Sequence, residues 1–197
     1  MCGIFAYIGD SIDYEKLYSN FNKIKGRGPD SFKFMNIKSS IYLGFHRLSI
    51  VDQSKRGNQP FIINGIYLIC NGEIYNHNEL KKENNFITKS NSDCEIIIHM
   101  YQKYGISDTI KNLDGVFAFI LYDSNLNKIF VGRDAFGVRP LFYGINKTQG
   151  EISFSSEMKS ISDISNEVKQ FKPGHYTVLN IDPNTNKVND DIYEGRF

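Results

Sequence analysis

The second residue of the chain is a cysteine, and its position gives it a chemistry that an internal cysteine lacks. A small residue after Met1 usually allows the initiator methionine to be removed, which would leave Cys2 with a free α-amine. The ordinary pKa of an α-amine is about 7.7–8.0, so at neutral pH part of it can accept the thiol proton. The thiol and amine would then act as nucleophile and base. The alternative is that Cys2 is a small apolar residue starting a buried strand.

Asn71 and Gly72 follow an apolar run, Ile66 to Cys70, and have two interpretations. Asn-Gly pairs after a strand favour a hairpin turn. The second interpretation is an oxyanion hole, in which the Asn71 side-chain amide and the Gly72 backbone N–H donate to one oxygen.

Two charged residues could bind the α-groups of an amino acid. Arg47 interrupts an apolar run, and its guanidinium could hold a carboxylate through two hydrogen bonds or form a structural salt bridge, for example to Asp52. Asp93 lies in the first turn of a predicted helix, where it could bind an ammonium group or cap the helix. Combined with the thiol of Cys2 and an oxyanion hole, these groups describe a site for glutamine.

The elements that must position these residues are short strands and a few helices. The predicted strands are Gly3 to Ile8, Ser31 to Met35, Ile41 to Phe45, Ile66 to Cys70, Gly115 to Tyr122, Lys128 to Val131, Leu141 to Gly144, Ile152 to Ser155 and His175 to Ile181. The predicted helices are Tyr14 to Lys25, one opening at Asn76, Asp93 to Tyr104, Ile106 to Leu113 and Glu157 to Ile161. Capping boxes are predicted at Asn76 with Glu79 and at Ser92 with Glu95. Tight polar turns favour antiparallel sheets with helices on their faces, the α+β class.

Composition limits the classes of function. The chain has 197 residues, and its 23 basic and 22 acidic residues give a net charge of +1, which does not indicate nucleic-acid binding. No apolar run approaches the roughly 18 residues of a membrane span. The three cysteines, Cys2, Cys70 and Cys94, have no metal-ligand spacing, so we predict no metal site and a reducing, cytoplasmic setting.

A resemblance covers nearly the whole chain. The stretches that carry it are MCGIF (1–5), RGPD (27–30), HRLSIVD (46–52), NQPF (58–61), NGEIYNH (71–77), SDCEII (92–97), LDGVFAFILYD (113–123), GRDAFGVRPLFYG (132–144) and SSEMK (155–159). In this order they resemble the glutaminase domain of the asparagine synthetases, which are class II glutamine amidotransferases. The resemblance implies an N-terminal nucleophile hydrolase fold, a four-layer αββα sandwich of two antiparallel sheets. It also implies a domain over 2–193, with 194–197 as a tail.

The resemblance also assigns roles. Cys2 resembles the nucleophile, and Asn71 and Gly72 resemble the oxyanion hole. The α-carboxylate side of glutamine is matched by Arg47 and the backbone of Leu48, Ser49, Ile50 and Val51, and the α-ammonium side by Glu73 and Asp93. Arg27 and Asp30 look like a loop that holds the site in shape. The loop from Gly132 to Leu141, with two glycines, two arginines and a proline, is either tightly packed or functional, for example in partner contacts.

The reaction implied by the resemblance is hydrolysis of L-glutamine to glutamate and ammonia through a γ-glutamyl thioester. The ammonia would serve asparagine synthesis in a synthetase domain or partner subunit that uses ATP and Mg²⁺. This sequence contains no Ser-Gly-Gly-Leu-Asp-Ser type loop for ATP, so we expect no cofactor in this chain. Other interpretations are a stand-alone glutaminase subunit for another acceptor, a silent interaction module of the same fold, or a different N-terminal nucleophile hydrolase. A homodimer is also compatible with the sequence.

Overall fold

A computed structural model of the chain describes residues 1–38, 40–185, 187, 188 and 194–197. Within these residues twelve strands form two six-stranded sheets. The strands are β1 Gly3–Ile8, β2 Ser31–Lys38, β3 Ile41–Arg47, β4 Phe61–Ile63, β5 Ile66–Ile74, β6 Gly115–Asp123, β7 Lys128–Arg133, β8 Phe142–Asn146, β9 Glu151–Ser155, β10 Glu167–Gln170, β11 His175–Asn180 and β12 Glu194–Arg196. The α-helices are α1 Tyr14–Asn22, α2 His77–Asn84 and α3 Ile96–Asn112.

The two sheets pack face to face. The strand order is β10-β8-β9-β1-β3-β2 in the first sheet and β12-β11-β7-β6-β5-β4 in the second. The pairings between these strands are antiparallel, for example β1 with β3 and β5 with β6. Between the sheets, Ile4 and Ala6 of β1 share one buried cluster with Ala118 and Ile120 of β6.

Helices cover the outer face of each sheet. On the first sheet, Leu17 and Phe21 of α1 pack with Phe5 of β1, which points away from the sheet interface. On the second sheet, α2 and α3 pack over the other face of β6, which presents Phe117 and Phe119. Strands β1 and β6 are continuous apolar runs because both of their faces are covered. The predicted α+β fold, a four-layer αββα sandwich, is confirmed.

Several elements differ from the predictions. Helix α1 ends at Asn22 and is followed by a 3₁₀ turn at Lys25–Arg27. Helix α3 contains Gly105 at φ 74° and ψ 175°, a non-helical conformation that separates two helical segments, as the two predicted helices require. The predicted helix at 157–161 is replaced by 3₁₀ turns at Met158–Ser160 and Ser162–Ile164.

Both predicted capping boxes are wrong, because more distant backbone groups compete for the capping side chains. The side chain of Asn76 donates to Asn112 O at 2.8 Å and accepts from the N–H of Asp114 at 3.1 Å. It therefore joins the start of α2 to the end of α3. The carboxylate of Glu95 accepts from backbone N–H groups at 89 and 90, which lie before its helix.

The chain end belongs to the second sheet. The predicted tail, 194–197, includes strand β12, which pairs with β11 from Glu194↔Thr177 to Arg196↔His175. The predicted boundary at 193 lies outside the described residues. In the part of the chain that the structure describes, no helix is long and apolar enough to span a membrane.

Candidate active site

The predicted site residues meet in one cavity. It encloses about 90 Å³ where the start of β1, the ends of β3 and β5 and the turn before α3 converge. Its lining includes Cys2, Arg47, Leu48, Ile50, Val51, Asn71, Gly72, Glu73 and Asp93. Of the predicted site residues, Ser49 alone lies outside this lining. The cavity also has lining residues that the sequence analysis did not assign to it: Met1, Phe45, Asp52, Gly57, Gln59, Cys70, Ser92, Cys94 and Arg139.

Cys2 immediately precedes β1 and points into the cavity beside the end of β3. Its Sγ accepts a hydrogen bond from the N–H of Leu48 at 3.4 Å and lies 3.6 Å from Leu48 O. Burial raises the pKa of the Cys2 thiol, although the Leu48 N–H and the positive chain terminus oppose this. The thiol therefore needs a base to become a nucleophile. In the chain described here the amine of Cys2 is in the peptide bond with Met1, so that base requires removal of Met1.

Arg27 and Asp30 hold the backbone around the thiol. Arg27 Nε donates to Cys2 O at 2.9 Å, and its Nη1 forms an ion pair with Glu157 at 3.2 Å. The carboxylate of Asp30 accepts from the N–H of Ser49 at 2.7 Å. These contacts are structural, as the resemblance implies for this loop.

Asn71 and Gly72 lie inside β5 rather than in a turn. Strand β5 continues to Ile74, with Asn71 opposite Ala118 and Gly72 opposite Phe117 of β6. The hairpin interpretation is therefore wrong. Among the residues that the structure describes, the buried Nδ2 of Asn71 has no hydrogen-bond partner. A buried donor of this kind is costly unless a ligand accepts from it.

The free edge of β5 supplies a second donor. N–H groups alternate between the two edges of a strand, so those of Cys70, Gly72 and Ile74 point away from β6. The N–H of Ile74 donates to the carboxylate of Asp93 at 2.6 Å. The N–H of Gly72 is directed to the same edge, beside the cavity. A Cβ at Gly72 would lie 2.7 Å from Val116 O, so a larger residue would disturb the pairing with β6.

Arg47 organises the loop that follows β3. Its Nη1 donates to Ser54 O at 2.8 Å and to Asn58 Oδ1 at 2.7 Å, and its Nη2 donates to the backbone oxygen of Asp52. Its contact with Asp52 is therefore to the carbonyl, not the proposed salt bridge. A Cβ at Gly57 would come within 2.5 Å of Nη2, so the loop packs tightly on the guanidinium. The contact between Arg47 and a substrate carboxylate stays a prediction.

Asp52 is a buried site residue whose importance the sequence did not indicate. One carboxylate oxygen accepts from the N–H of Ser54 at 2.8 Å and the other from that of Asn91 at 2.9 Å. Burial favours a higher pKa for Asp52, but these hydrogen bonds and the charge of Arg47 lower it overall. An ionised Asp52 thus joins the Arg47 loop to the turn that carries Asp93.

Asp93 and Glu73 lie on the same side of the cavity. Asp93 is buried, and because its carboxylate bonds to the N–H of Ile74 in β5, the helix-capping alternative is wrong. Glu73 is half-exposed and forms an ion pair with Arg139 at 3.0 Å. Their proposed contact with an ammonium group stays a prediction.

The loop from 132 to 141 is tightly packed and also reaches the cavity. Arg133 donates to the backbone oxygens of Phe171 at 2.5 Å, Gly137 at 2.7 Å and Arg139 at 2.8 Å. The carboxylate of Asp134 accepts from the N–H groups at 117, 136, 138 and 139. These bonds hold Arg139 against Glu73, so the tightly packed interpretation is confirmed, and a role of this loop in partner contacts stays a prediction.

Two face-to-face antiparallel sheets enclosed by helices, with a cysteine at the start of a central strand, form the N-terminal nucleophile hydrolase fold. Solved structures share this fold. Glutamine phosphoribosylpyrophosphate amidotransferase from B. subtilis superposes with a TM-score of 0.78 over 99% of this chain and 49% of that chain, at 21% identity. A glutamine aminotransferase class-II domain protein from Silicibacter pomeroyi gives a TM-score of 0.59 at 11% identity, covering 100% of this chain and 98% of that one.

The family is established by sequence. The glutamine amidotransferase domain model matches residues 1–194, so the chain belongs to the glutamine amidotransferase domain family. It is 42% identical to the asparagine synthetase [glutamine-hydrolyzing] of Mesocricetus auratus over 93% of the chain, and 40% identical to that of Homo sapiens over the same share. A probable asparagine synthetase of Acanthamoeba polyphaga mimivirus is 38% identical over 92%. The chain spans about a third of these relatives, 34% of each.

Proposed function

We propose that the chain hydrolyses L-glutamine to glutamate and ammonia on Cys2 and that the ammonia is used for asparagine synthesis. The observation that carries this proposal is the unpartnered Nδ2 of Asn71 in the cavity that also holds the Cys2 thiol. A donor left free opposite a nucleophile suits an oxygen that gains negative charge during the reaction. The resemblance of the chain to glutamine-hydrolysing asparagine synthetases supports glutamine as the substrate.

In the proposed reaction the α-amine of Cys2, freed by removal of Met1, takes the thiol proton. The sulfur attacks the carboxamide carbon of glutamine, and the oxygen becomes an oxyanion that accepts from Asn71 Nδ2 and the Gly72 N–H. The amine returns the proton to the leaving nitrogen, so that ammonia departs and a γ-glutamyl thioester remains. The same amine then deprotonates water, which attacks the thioester and releases glutamate and the thiol.

The groups around the thiol suit the α-groups of glutamine. Asp93 and Glu73 offer carboxylates for the ammonium, and Arg47 with the backbone at 48–51 lies on the side proposed for the α-carboxylate. The amino-acid substrate therefore meets charges of both signs, which a simple amide lacking α-groups could not satisfy. These paired charges favour glutamine over the substrates of other N-terminal nucleophile hydrolases.

The acceptor of the ammonia is proposed from the relatives. A synthetase domain or subunit would bind ATP and Mg²⁺ and receive the ammonia, whereas this chain would need no cofactor of its own. The exposed side chains of Phe136 and Val138, on the loop that holds Arg139, offer an apolar surface for that partner. A cytoplasmic location and a homodimer stay predictions.

The test compares three forms of the chain: Met1-free, Met1-retaining and Cys2→Ala in its Met1-free form. We expect only the first to release ammonia from glutamine and to take one adduct of 6-diazo-5-oxo-norleucine on Cys2, measured by intact mass and peptide mapping. Cys2→Ala should still bind glutamine in calorimetry, because the groups proposed for the α-ammonium and α-carboxylate are unchanged. Hydrolysis by Cys2→Ala would disprove the nucleophile assignment. A Met1-free chain that neither reacts nor hydrolyses glutamine would favour the silent interaction module.

A further inference from the structure

Gln59 makes an unusual pair of hydrogen bonds with the strand that carries Asn71. Its side chain is buried, and Oε1 accepts from the N–H of Cys70 at 2.5 Å while Nε2 donates to Cys70 O at 3.2 Å. One side-chain amide therefore satisfies both backbone groups of a single residue. The sequence alone predicts no role for Gln59.

These bonds replace part of a strand. Strand β4 pairs with β5 from Ile63↔Ile66 to Phe61↔Leu68, and the next position along the same edge of β5 is Cys70. Continued by two residues, the same register would place the backbone of Gln59 itself opposite Cys70, beyond the end of β4. The side-chain amide of Gln59 has the donor and acceptor of a peptide group, and it supplies the pairing to Cys70 that the backbone of β4 does not.

The position of Cys70 links Gln59 to the proposed chemistry. Cys70 is bonded to Asn71, and along the free edge of β5 its N–H is followed by those of Gly72 and Ile74. The first of these N–H groups is held by Gln59 and the third by the carboxylate of Asp93. The Gly72 N–H lies between two fixed points, and the opposite edge of β5 is held by the pairing of Asn71 with Ala118.

We propose that Gln59 is a positioning residue of the oxyanion hole: its amide fixes the β5 backbone so that Asn71 Nδ2 and the Gly72 N–H converge on one oxygen. This inference rests on the proposed glutaminase function. Both polar groups of Gln59 are engaged by Cys70, so it acts through the strand and not on substrate. A displacement of such donors by about 1 Å can cost on the order of 100-fold in rate.

The experiment measures kcat and KM for glutamine in the Met1-free chain and in Gln59→Met, which keeps the side-chain length and removes both hydrogen bonds. Gln53→Met is the matched control, since Gln53 is exposed on the loop that precedes Gln59. We expect kcat to fall about 10- to 100-fold in Gln59→Met, with KM within about threefold, because oxyanion donors act on the transition state. Glutamine should bind with unchanged affinity when Gln59→Met is combined with Cys2→Ala.

A second variant separates positioning from folding. Gln59→Glu keeps an acceptor for the Cys70 N–H but faces Cys70 O without a donor, so kcat should again fall while far-UV circular dichroism stays unchanged. A kcat within twofold of wild type in both variants, or a rise in KM alone, would overturn the proposal. Loss of the folded signal in both variants would reduce Gln59 to a purely structural role and would also overturn it. Absence of hydrolysis by the wild-type Met1-free chain would instead refute the proposed function, and this inference with it.

Discussion

Glu95 is the buried carboxylate from which we expect a large, pH-dependent contribution to stability. Its Oε1 accepts from the N–H of Lys89 at 2.7 Å and lies 3.3 Å from His99 Nε2. Its Oε2 accepts from the N–H of Ser90 at 2.7 Å and also from the Ser90 hydroxyl. These bonds hold the segment that leads into Asn91 and Asp93, so Glu95 stabilises the turn that carries Asp93 without lining the cavity itself.

The size of this contribution follows from the pKa of Glu95. Burial favours a higher pKa, but hydrogen bonds from His99, Ser90 and Lys89 lower it from 4.5 to about 2. Each pKa unit is worth about 1.4 kcal/mol, so the ionised carboxylate contributes about 3 kcal/mol to the free energy of unfolding. A lowered folded-state pKa stabilises the protein above the unfolded-state value, and that stability is lost as the pH falls from 4.5 towards 2.

Glu95→Gln removes the charge and one of the two acceptor oxygens. Urea unfolding at about pH 5.5 should show a loss near 3 kcal/mol relative to wild type, and at about pH 3.5 the loss should be about 1 kcal/mol smaller. Glu83→Gln is the control, because Glu83 is exposed on α2, and its effect should be small at both pH values. An unchanged difference between wild type and Glu95→Gln at the two pH values would refute this account of the charge.

Three further substitutions test individual contacts. Asp93→Asn should raise KM for glutamine about tenfold with kcat nearly unchanged, because an ammonium contact acts in both ground and transition states. An effect on kcat alone in steady-state kinetics would contradict this role. Asp52→Asn leaves one backbone N–H without its acceptor and should lower the free energy of unfolding by about 2 kcal/mol in urea at neutral pH. An unchanged urea midpoint would argue against Asp52 as a stabilising link between the Arg47 loop and the turn that carries Asp93. Tyr101→Phe removes a 2.8 Å hydrogen bond to buried Asp123 and should lower the free energy of unfolding by about 1.5 kcal/mol in the same assay. An unchanged free energy of unfolding would mean that this hydrogen bond makes no net contribution to stability.

The central strands could be predicted from sequence because both of their faces are buried. Gly3–Ile8 has the predicted bounds, and Gly115–Asp123 extends the predicted strand by one residue. The short strands β4, β10 and β12, of 3, 4 and 3 residues, were not predicted. Each pairs with only one neighbour at or near the margin of its sheet, so little of its sequence is constrained by burial.

Most of the predicted site residues line one cavity, but the hydrogen bonds that they make were not predicted, and their roles stay predictions. Patterns at the chain start and after the apolar run 66–70 indicated the thiol and the amide donors. By contrast, the role of Asp52 depends on Asn91, 39 residues away, and that of Gln59 on Cys70, 11 residues away. A local pattern carries no signal for such partners, since an aspartate or glutamine in a polar loop is ordinary. The capping boxes failed for the same reason, because distant backbone groups compete with the helix ends.

The bonds along the free edge of β5 offer a reason for the position of the proposed substrate site. A strand edge normally offers its N–H groups to the carbonyl oxygens of a neighbouring strand. Here the side chains of Gln59 and Asp93 occupy the positions on either side of Gly72, so this edge is closed to another strand except at one N–H. In the proposed reaction the carboxamide oxygen of glutamine takes the place of the missing carbonyl, with Asn71 as its second donor. The same arrangement gives the oxyanion two donors and leaves the edge too short for peptide pairing, so a small amide substrate suits this edge better than an extended chain.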